Sequence, residues 1–432
     1  MADVRIALIG AGSYVFGPGV IQGVLLEHRL DGAQLALMDV DTRTLGPLVG
    51  AARRIADEAG VKVEITGHRD RREAIAGADF VLSAAAPQMA SRLQTDQQII
   101  RKHLGEHIIT EFGGIVGISY SLRQIAFYQG LADDMLELAP GAQLIDAANP
   151  MPRICQAVAL KGVPTVGFCS AADEAWTMLW HLFEGEHIDH PYPQARQRWQ
   201  MKTAGLNHFA WVIELKDRAT GADMLAEVRD RLANGGSTGQ PISDAISKQA
   251  GYLLVPNDHH TQDFLPPMRP ELSRETTWHG GTDARQKRIE LLQAIAEGDA
   301  PTETLMRGGS WEKPVDMIAA MVRDQPAHFE RLNLMNTGQM PQLPENIFVE
   351  TPVIVDAAGP KAETITLPET PLEYCRSVAA VTDTIVQAAI QQDRQLVHQA
   401  VQLDPTIVDK PAGIAAIDAC LAAHADILPE YR

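Results

Sequence analysis

The feature that most narrows what this chain can fold into lies at its start. Arg5–Ile9 (RIALI) runs straight into Gly10-Ala11-Gly12-Ser13, and residues 20–26 then read as helix. An apolar strand that empties into a glycine turn and a helix is a seat for a pyrophosphate, because the helix N-terminus offers unpaired N–H groups and the positive end of its dipole. A second strand, 35–38, closes on Asp39, 29 residues past Gly10, where a carboxylate can accept hydrogen bonds from an adenosine ribose. That acid favours NAD over NADP, since a 2′-phosphate would meet a like charge. The third glycine of the usual fingerprint is replaced by Val15, with Gly17 nearby, so the reading rests on context rather than on the glycines alone.

The pattern continues as strand and helix in alternation: helix 45–58, strand 61–65, helix 71–75, strand 80–83, helix near 119–137 and strand 143–146, which ends at Asn149-Pro150. Alternation of this kind predicts a mostly parallel, doubly wound sheet of Rossmann type, like that of lactate and malate dehydrogenases. Beyond residue 150 the pattern changes. A strand at 163–168 ends at Cys169, strands 199–206 and 210–215 flank Asn207-His208, helices are expected near 222–233, 240–250, 283–296 and 313–322, and 347–355 is strand-like before a helix-rich tail at 372–424. Residues 234–239 and 324–343 look most loop-like. The expected division is an NAD-binding domain at 1–165 and a tightly packed α+β domain for metal and substrate at 166–432.

Charge removes several classes of partner. With 37 basic against 55 acidic residues the formal charge is −18, which gives no footprint for nucleic acid or an anionic membrane. No run of about 18 apolar residues occurs, and the N-terminus lacks the basic region and cleavage site of a secretory signal, so the expectation is a cytoplasmic protein. Four widely spaced cysteines (Cys155, Cys169, Cys375, Cys420) argue against a disulfide framework and for free thiols.

Three places could carry chemistry. Cys169 at a strand end and His208 in GLNHF are each ordinary core or polar residues when taken alone, and their spacing of 39 matches no compact zinc motif. As a pair they would form a two-ligand metal site completed by substrate and water. Asn149 stands at the carboxyl end of a strand, where doubly wound sheets bind ligands; otherwise it is a turn former. Pro256-Asn257-Asp258-His259-His260, with Asp263 close behind, is either a solvated loop or the holder of a general base.

Taken together, five segments in order resemble family 4 of the glycoside hydrolases, the NAD- and divalent-metal-dependent glycosidases. They are IALIGAGSYVFGPGVIQGVLLEHRL with LALMDVD, EFGGIVGISYSLRQIAFY with LIDAANPM, VGFCSAADE, GLNHFAW and NTGQMPQLPENIFVETPVIVD. The likeness spans nearly the whole chain. It implies NAD contacts from Gly10, Gly12, Ser13, Phe16 and Asp39, metal ligands in Cys169 and His208, a substrate contact from Asn149, and a base in the segment 252–260. There Asp258 is the first choice, His260 the second and Tyr252 the third.

The resemblance also implies a reaction. NAD takes hydride from C3 of the sugar, a base removes the acidified C2 proton, the aglycone leaves C1, water adds and the hydride returns; this NAD-dependent family stands outside the two-carboxylate scheme of glycosidases. Mn²⁺ is the implied ion and a homodimer or homotetramer the implied assembly. One departure is plain: Ser170 follows the metal cysteine where some branches carry an acidic Asp, so either Asp173 or another group protonates the leaving group or that protonation is less demanding here. Phosphate recognition recruits clustered basic residues. Arg92, Arg123, Arg269 and Arg285 are scattered, so the expected substrate is an α-linked hexoside or hexuronide without a 6-phosphate, with Arg285 the best contact for it. A lactate/malate-type 2-hydroxyacid dehydrogenase is the alternative enzyme, and a non-catalytic NAD sensor a third reading.

Overall fold

The computed structural model describes residues 3–13, 16–105, 111–185, 192–267, 282–306 and 312–431. Among these, twelve strands form one sheet: β1 (Arg5–Ile9), β2 (Gln34–Met38), β3 (Glu64–His68), β4 (Phe80–Ser83), β5 (Gln143–Asp146), β6 (Thr165–Gly167), β7 (Trp199–Leu206), β8 (Phe209–Asp217), β9 (Leu254–Val255), β10 (Ala327–Met335), β11 (Phe348–Asp356) and β12 (Gly359–Ala362). The order is 3-2-1-4-5-6-10-11-7-8-9, with β12 beside β11. The first six strands are parallel. Their order reverses between β1 and β4, which is the switch point where such sheets bind dinucleotides. The expected α/β class and its doubly wound half are observed.

The inner strands of this half are buried on both faces, so they read as continuous apolar runs rather than alternating ones, whereas the edge strand β3 buries Ile65 alone. Ile6, Leu8, Leu35 and Leu37 pack into one core with helix Thr42–Ala59, while Ala7, Ile9 and Val81 pack into another with helix Gly114–Leu138. The sheet does not stop at residue 165. β10 joins β6 antiparallel at Asn333 opposite Gly167, and β11 meets β7 at Glu350 opposite Gly205. Helix Thr282–Glu297 packs back through Leu292 and Ile295 onto the cofactor-side core.

Several elements differ from expectation. β3 lies at Glu64–His68 rather than 61–65, and β10 crosses the middle of a stretch expected to be loop. Arg331 and Asn333 on β10 are polar yet buried, which hides the apolar periodicity a strand would show. Helices Met89–Leu104 and Glu174–Glu184 were not expected. The former buries Asp96 among only two apolar side chains, Leu93 and Ile100, so its amphipathic signal is weak.

Candidate active site

The cofactor end is built by neighbours in sequence. Gly10 and Ala11 both donate backbone N–H bonds to the Met38 carbonyl, at 3.0 and 2.9 Å, which ties the glycine turn to the end of β2. Gly10 adopts φ +78°, a region few side chains tolerate. The Gly12 amide donates to Asp39 Oδ2 at 2.8 Å and the Asp41 amide to Oδ1 at 2.9 Å. Each carboxylate oxygen keeps a lone pair for a ribose hydroxyl. Ser13 Oγ accepts from the Phe16 amide at 3.3 Å and so caps helix Phe16–Gln22, with the Phe16 ring buried beneath. A Cβ on Gly17 would stand 2.2 Å from the Ala11 carbonyl oxygen. The close-packing role of the missing third glycine therefore falls to Gly17.

Arg285 belongs to this end too. It is exposed, and its Nη2 donates to Asp41 Oδ2 at 2.8 Å. The Arg43 hydrogen bond, with Arg285 nearby, holds the Asp41 carboxyl below its usual range. The structure thus places Arg285 beside Asp41, at the cofactor end.

The second group collects residues from far apart. Cys169 follows β6, and its Sγ lies 3.2 Å from His208 Nε2. His208 occupies the two-residue turn between β7 and β8 at φ +59°, a left-handed conformation that histidine adopts more readily than most residues. Its ring is 4% exposed and packs against the rings of Phe112 and His260, with centroids 4.6 and 4.1 Å away. Its Nδ1 is buried without a hydrogen-bond partner. Desolvation pushes the Cys169 thiol up to about 12, with the Glu312 and Glu350 carboxylates adding to the rise, and pushes His208 well below its ordinary value.

A thiol and a neutral imidazole that converge this closely suit a shared divalent ion, whose tetrahedral ligands stand about 3.5 Å apart at bonds of 2.0–2.3 Å. Among the described residues no third His, Cys, Asp or Glu closes on the pair. An ion held by this pair would still be able to take substrate oxygens, as in a catalytic rather than structural metal site.

Behind the pair stands a buried carboxylate that sequence reading missed. Glu350 Oε2 accepts from Asn333 Nδ2 at 3.0 Å and Asn207 Nδ2 at 3.4 Å. These bonds fix the turn carrying His208 to β10 and β11. Burial raises the Glu350 carboxyl, and Arg331 opposes the rise. Arg331 is also paired with Asp173, so the sequence-based substitute acid already has a cationic partner. Next to the thiol, the Ser170 amide and hydroxyl both donate to Glu312 Oε1, at 3.2 and 2.8 Å. An acid inside the apolar run IFVETPVIV was the available signal for Glu350; nothing in the sequence pointed to Glu312.

Asn149 lies at the same carboxyl edge, after β5. Its Nδ2 donates to Glu111 Oε2 at 2.6 Å, and its carbonyl accepts from Gln124 Nε2 at 3.2 Å. Burial pushes Glu111 up to about 7 against the opposing Asn149 bond.

The three candidate bases are held differently. Asp258 accepts from the Ile242 and Ser243 amides at 2.9 and 2.8 Å, one on each carboxylate oxygen, and so caps helix Pro241–Ala250. His260 packs tilted against His208, and burial together with His259 pushes it down to about 4. Tyr252 packs at the margin of the apolar cluster of Phe209, Trp211 and Phe264.

A dinucleotide seat and a thiol–imidazole pair on one edge of a doubly wound sheet define a dinucleotide-dependent, metal-assisted enzyme. Residues 5–178 match the family 4 glycosyl hydrolases, and residues 203–407 match the C-terminal domain of the same family. An alpha-galactosidase of Bacillus subtilis is 27% identical over 99% of this chain and 100% of its own. An alpha-galacturonidase of Thermoanaerobacterium saccharolyticum is 22% identical over 94% of this chain and 92% of its own. The crystal structure of a 6-phospho-alpha-glucosidase from gut microorganisms, in complex with NAD and Mn²⁺, superimposes with a TM-score of 0.77 at 18% identity, covering 99% of this chain and 100% of that one. The chain belongs to family 4 of the glycosyl hydrolases and is a glycoside-cleaving enzyme, which sets aside the 2-hydroxyacid dehydrogenase and the NAD sensor.

Proposed function

We propose that this enzyme hydrolyses an α-linked hexoside or hexuronide without a 6-phosphate, using NAD and a divalent metal, Mn²⁺ in the first instance. The observation that carries this reading is the Cys169–His208 pair, 3.2 Å apart on the same sheet edge as Asn149 and the glycine turn. When bound, NAD accepts and returns the C3 hydride, and the ion polarises the C2 and C3 oxygens.

The protein's own groups do the rest. Gly10, Gly12, Ser13 and Asp39 orient the dinucleotide, with Phe16 beneath it. Cys169 and His208 hold the ion. The Asn149 amide, fixed by Glu111, presents its oxygen to a sugar hydroxyl. His260 takes the C2 proton ahead of Asp258 and Tyr252, because its ring lies against His208, while Asp258 is held by two amides at the start of helix Pro241–Ala250. A His260 pushed down to about 4 is unprotonated at neutral pH and able to accept.

The sugar class rests on the arginines. Arg92 pairs with Asp426, Arg123 with Asp96, Arg285 with Asp41 and Arg331 with Asp173. Arg269 lies outside the described residues. Each of the four described arginines is held by a carboxylate of the protein. The galactosidase and galacturonidase relatives lean the same way.

A panel of p-nitrophenyl α- and β-glycosides, plain, 6-phosphorylated and 6-carboxylated, tests the reading in the presence of NAD, Mn²⁺ and reductant. Preference for a plain or 6-carboxylated α-glycoside is expected. Preference for a 6-phosphoglycoside overturns the substrate class, and full activity after exhaustive chelation overturns the metal.

A further inference from the structure

Glu312 has no part in the reading so far, yet its carboxylate meets the residue that directly follows the metal-site thiol. One oxygen, Oε1, accepts from both the backbone amide and the hydroxyl of Ser170. Its backbone is anchored as well. Glu312 leads into helix Pro314–Arg323, whose Val315 packs so tightly on Gly23 that an added Cβ there would fall 2.7 Å from the valine. Gly23 opens the π-helical turn that continues helix Phe16–Gln22. Glu312 therefore stands between the segment packed on the cofactor-side helix and Ser170, the residue after the thiol.

Two other carboxylates are placed by different contacts. Asp173 is paired with Arg331, and Glu350 is sealed behind the pair by two asparagine amides. Ser170 itself has a hydroxyl far too weakly acidic to protonate an alkoxide leaving group at neutral pH.

We propose that Glu312 is the catalytic acid that protonates the departing aglycone oxygen. The proposal rests on the glycosidase reading above. As the C1–O bond breaks, its electron pair goes to the aglycone oxygen, which takes the proton of the Glu312 carboxyl and leaves a carboxylate. When water adds at C1, that carboxylate receives the proton the water gives up, and the acid is restored. A neutral carboxyl still accepts both Ser170 bonds on one oxygen while its hydroxyl donates, so the anchor survives the cycle.

The test compares wild-type holoenzyme with Glu312→Gln on dinitrophenyl, phenyl and methyl glycosides of one preferred sugar. A general acid is worth roughly 10²–10⁴-fold where the leaving group is poor and little where it is good. The variant should therefore lose at least about 100-fold in kcat/KM on the methyl glycoside and less than about 3-fold on the dinitrophenyl glycoside. NAD affinity, followed by fluorescence, should stay unchanged and show that the variant is folded. Ser170→Asp in the Glu312→Gln background should recover about tenfold or more on the methyl glycoside, because it places a carboxyl beside the same thiol. Equal losses across the series, or no loss on the methyl glycoside, overturn the proposal while leaving the glycosidase reading in place. A wild type inert on the entire series overturns both.

Discussion

The cofactor end and the metal end sit on the same sheet edge but are assembled in opposite ways. Gly10, Gly12, Ser13, Phe16 and Asp39 come from one β-turn-α-β unit, and their hydrogen bonds span at most 29 residues. The metal end draws on Glu111, Asn149, Cys169, His208, His260, Glu312, Asn333 and Glu350, with the Ser170–Glu312 bond spanning 142 residues and the Asn207–Glu350 bond 143. A locally closed unit carries its geometry with it. A site gathered from eight segments depends on the whole sheet being in register, and β10 and β11 are what bring it there.

The contrast makes sharp demands on variants. The largest effect belongs to Cys169→Ser. It should lower kcat by at least about 10³-fold, in line with loss of a metal ligand and of the charge stabilisation the ion supplies, while NAD titration remains within about twofold of wild type. Parallel loss of NAD affinity would show that the two ends are not independent.

Next is Glu111→Gln, read as stability against pH in the metal-free, NAD-free protein. The wild-type carboxyl is pushed up from about 4.5 to about 7, so the folded state holds a proton the unfolded chain releases across that window. Stability from this group is present below about pH 4.5, falls as pH rises and is lost above about 7. Urea denaturation at pH 5 and pH 8 should show the variant gaining on wild type between those values, by up to about 3 kcal/mol. Taking the difference between the two proteins cancels His260, whose lowered value acts in the opposite direction. An unchanged difference would place Glu111 in contact with water.

Asp39→Ala follows, with NAD binding weakened by about 1.5–3 kcal/mol, the worth of hydrogen bonds to a charged acceptor, and with the preference for NAD over NADP reduced. Paired titrations with both dinucleotides check it, and equal affinities in the wild type would contradict the assignment. Arg285→Ala should do least. An exposed ion pair is worth about 0–1 kcal/mol, so NAD affinity should shift by less than about fivefold and KM for the glycoside should hold. A large KM effect would return Arg285 to the substrate.

The same contrast explains what could be read from the chain. β1, the glycine turn and Asp39 were legible because a buried parallel strand is a continuous apolar run and the turn follows it at once. Cys169, His208 and Asn149 stood out only as members of a family pattern, since each has an ordinary role when taken alone. β10 was invisible because Arg331 and Asn333 turn inward to serve the site, and so break the apolar pattern of a buried strand. Asp258 looked like the natural base in sequence; only the fold shows its two oxygens capping a helix that begins 17 residues earlier.

Elimination through the C2 position is the claim on which the rest depends, and solvent isotope entry tests it most directly. With NAD, Mn²⁺ and a cleavable α-glycoside in deuterated water, the released sugar should carry deuterium at C2, and His260→Ala should lose both turnover and exchange while still binding NAD. If exchange survives in that variant and vanishes in Asp258→Asn or Tyr252→Phe, only the choice of base changes. A sugar released with no deuterium at C2 would contradict the account.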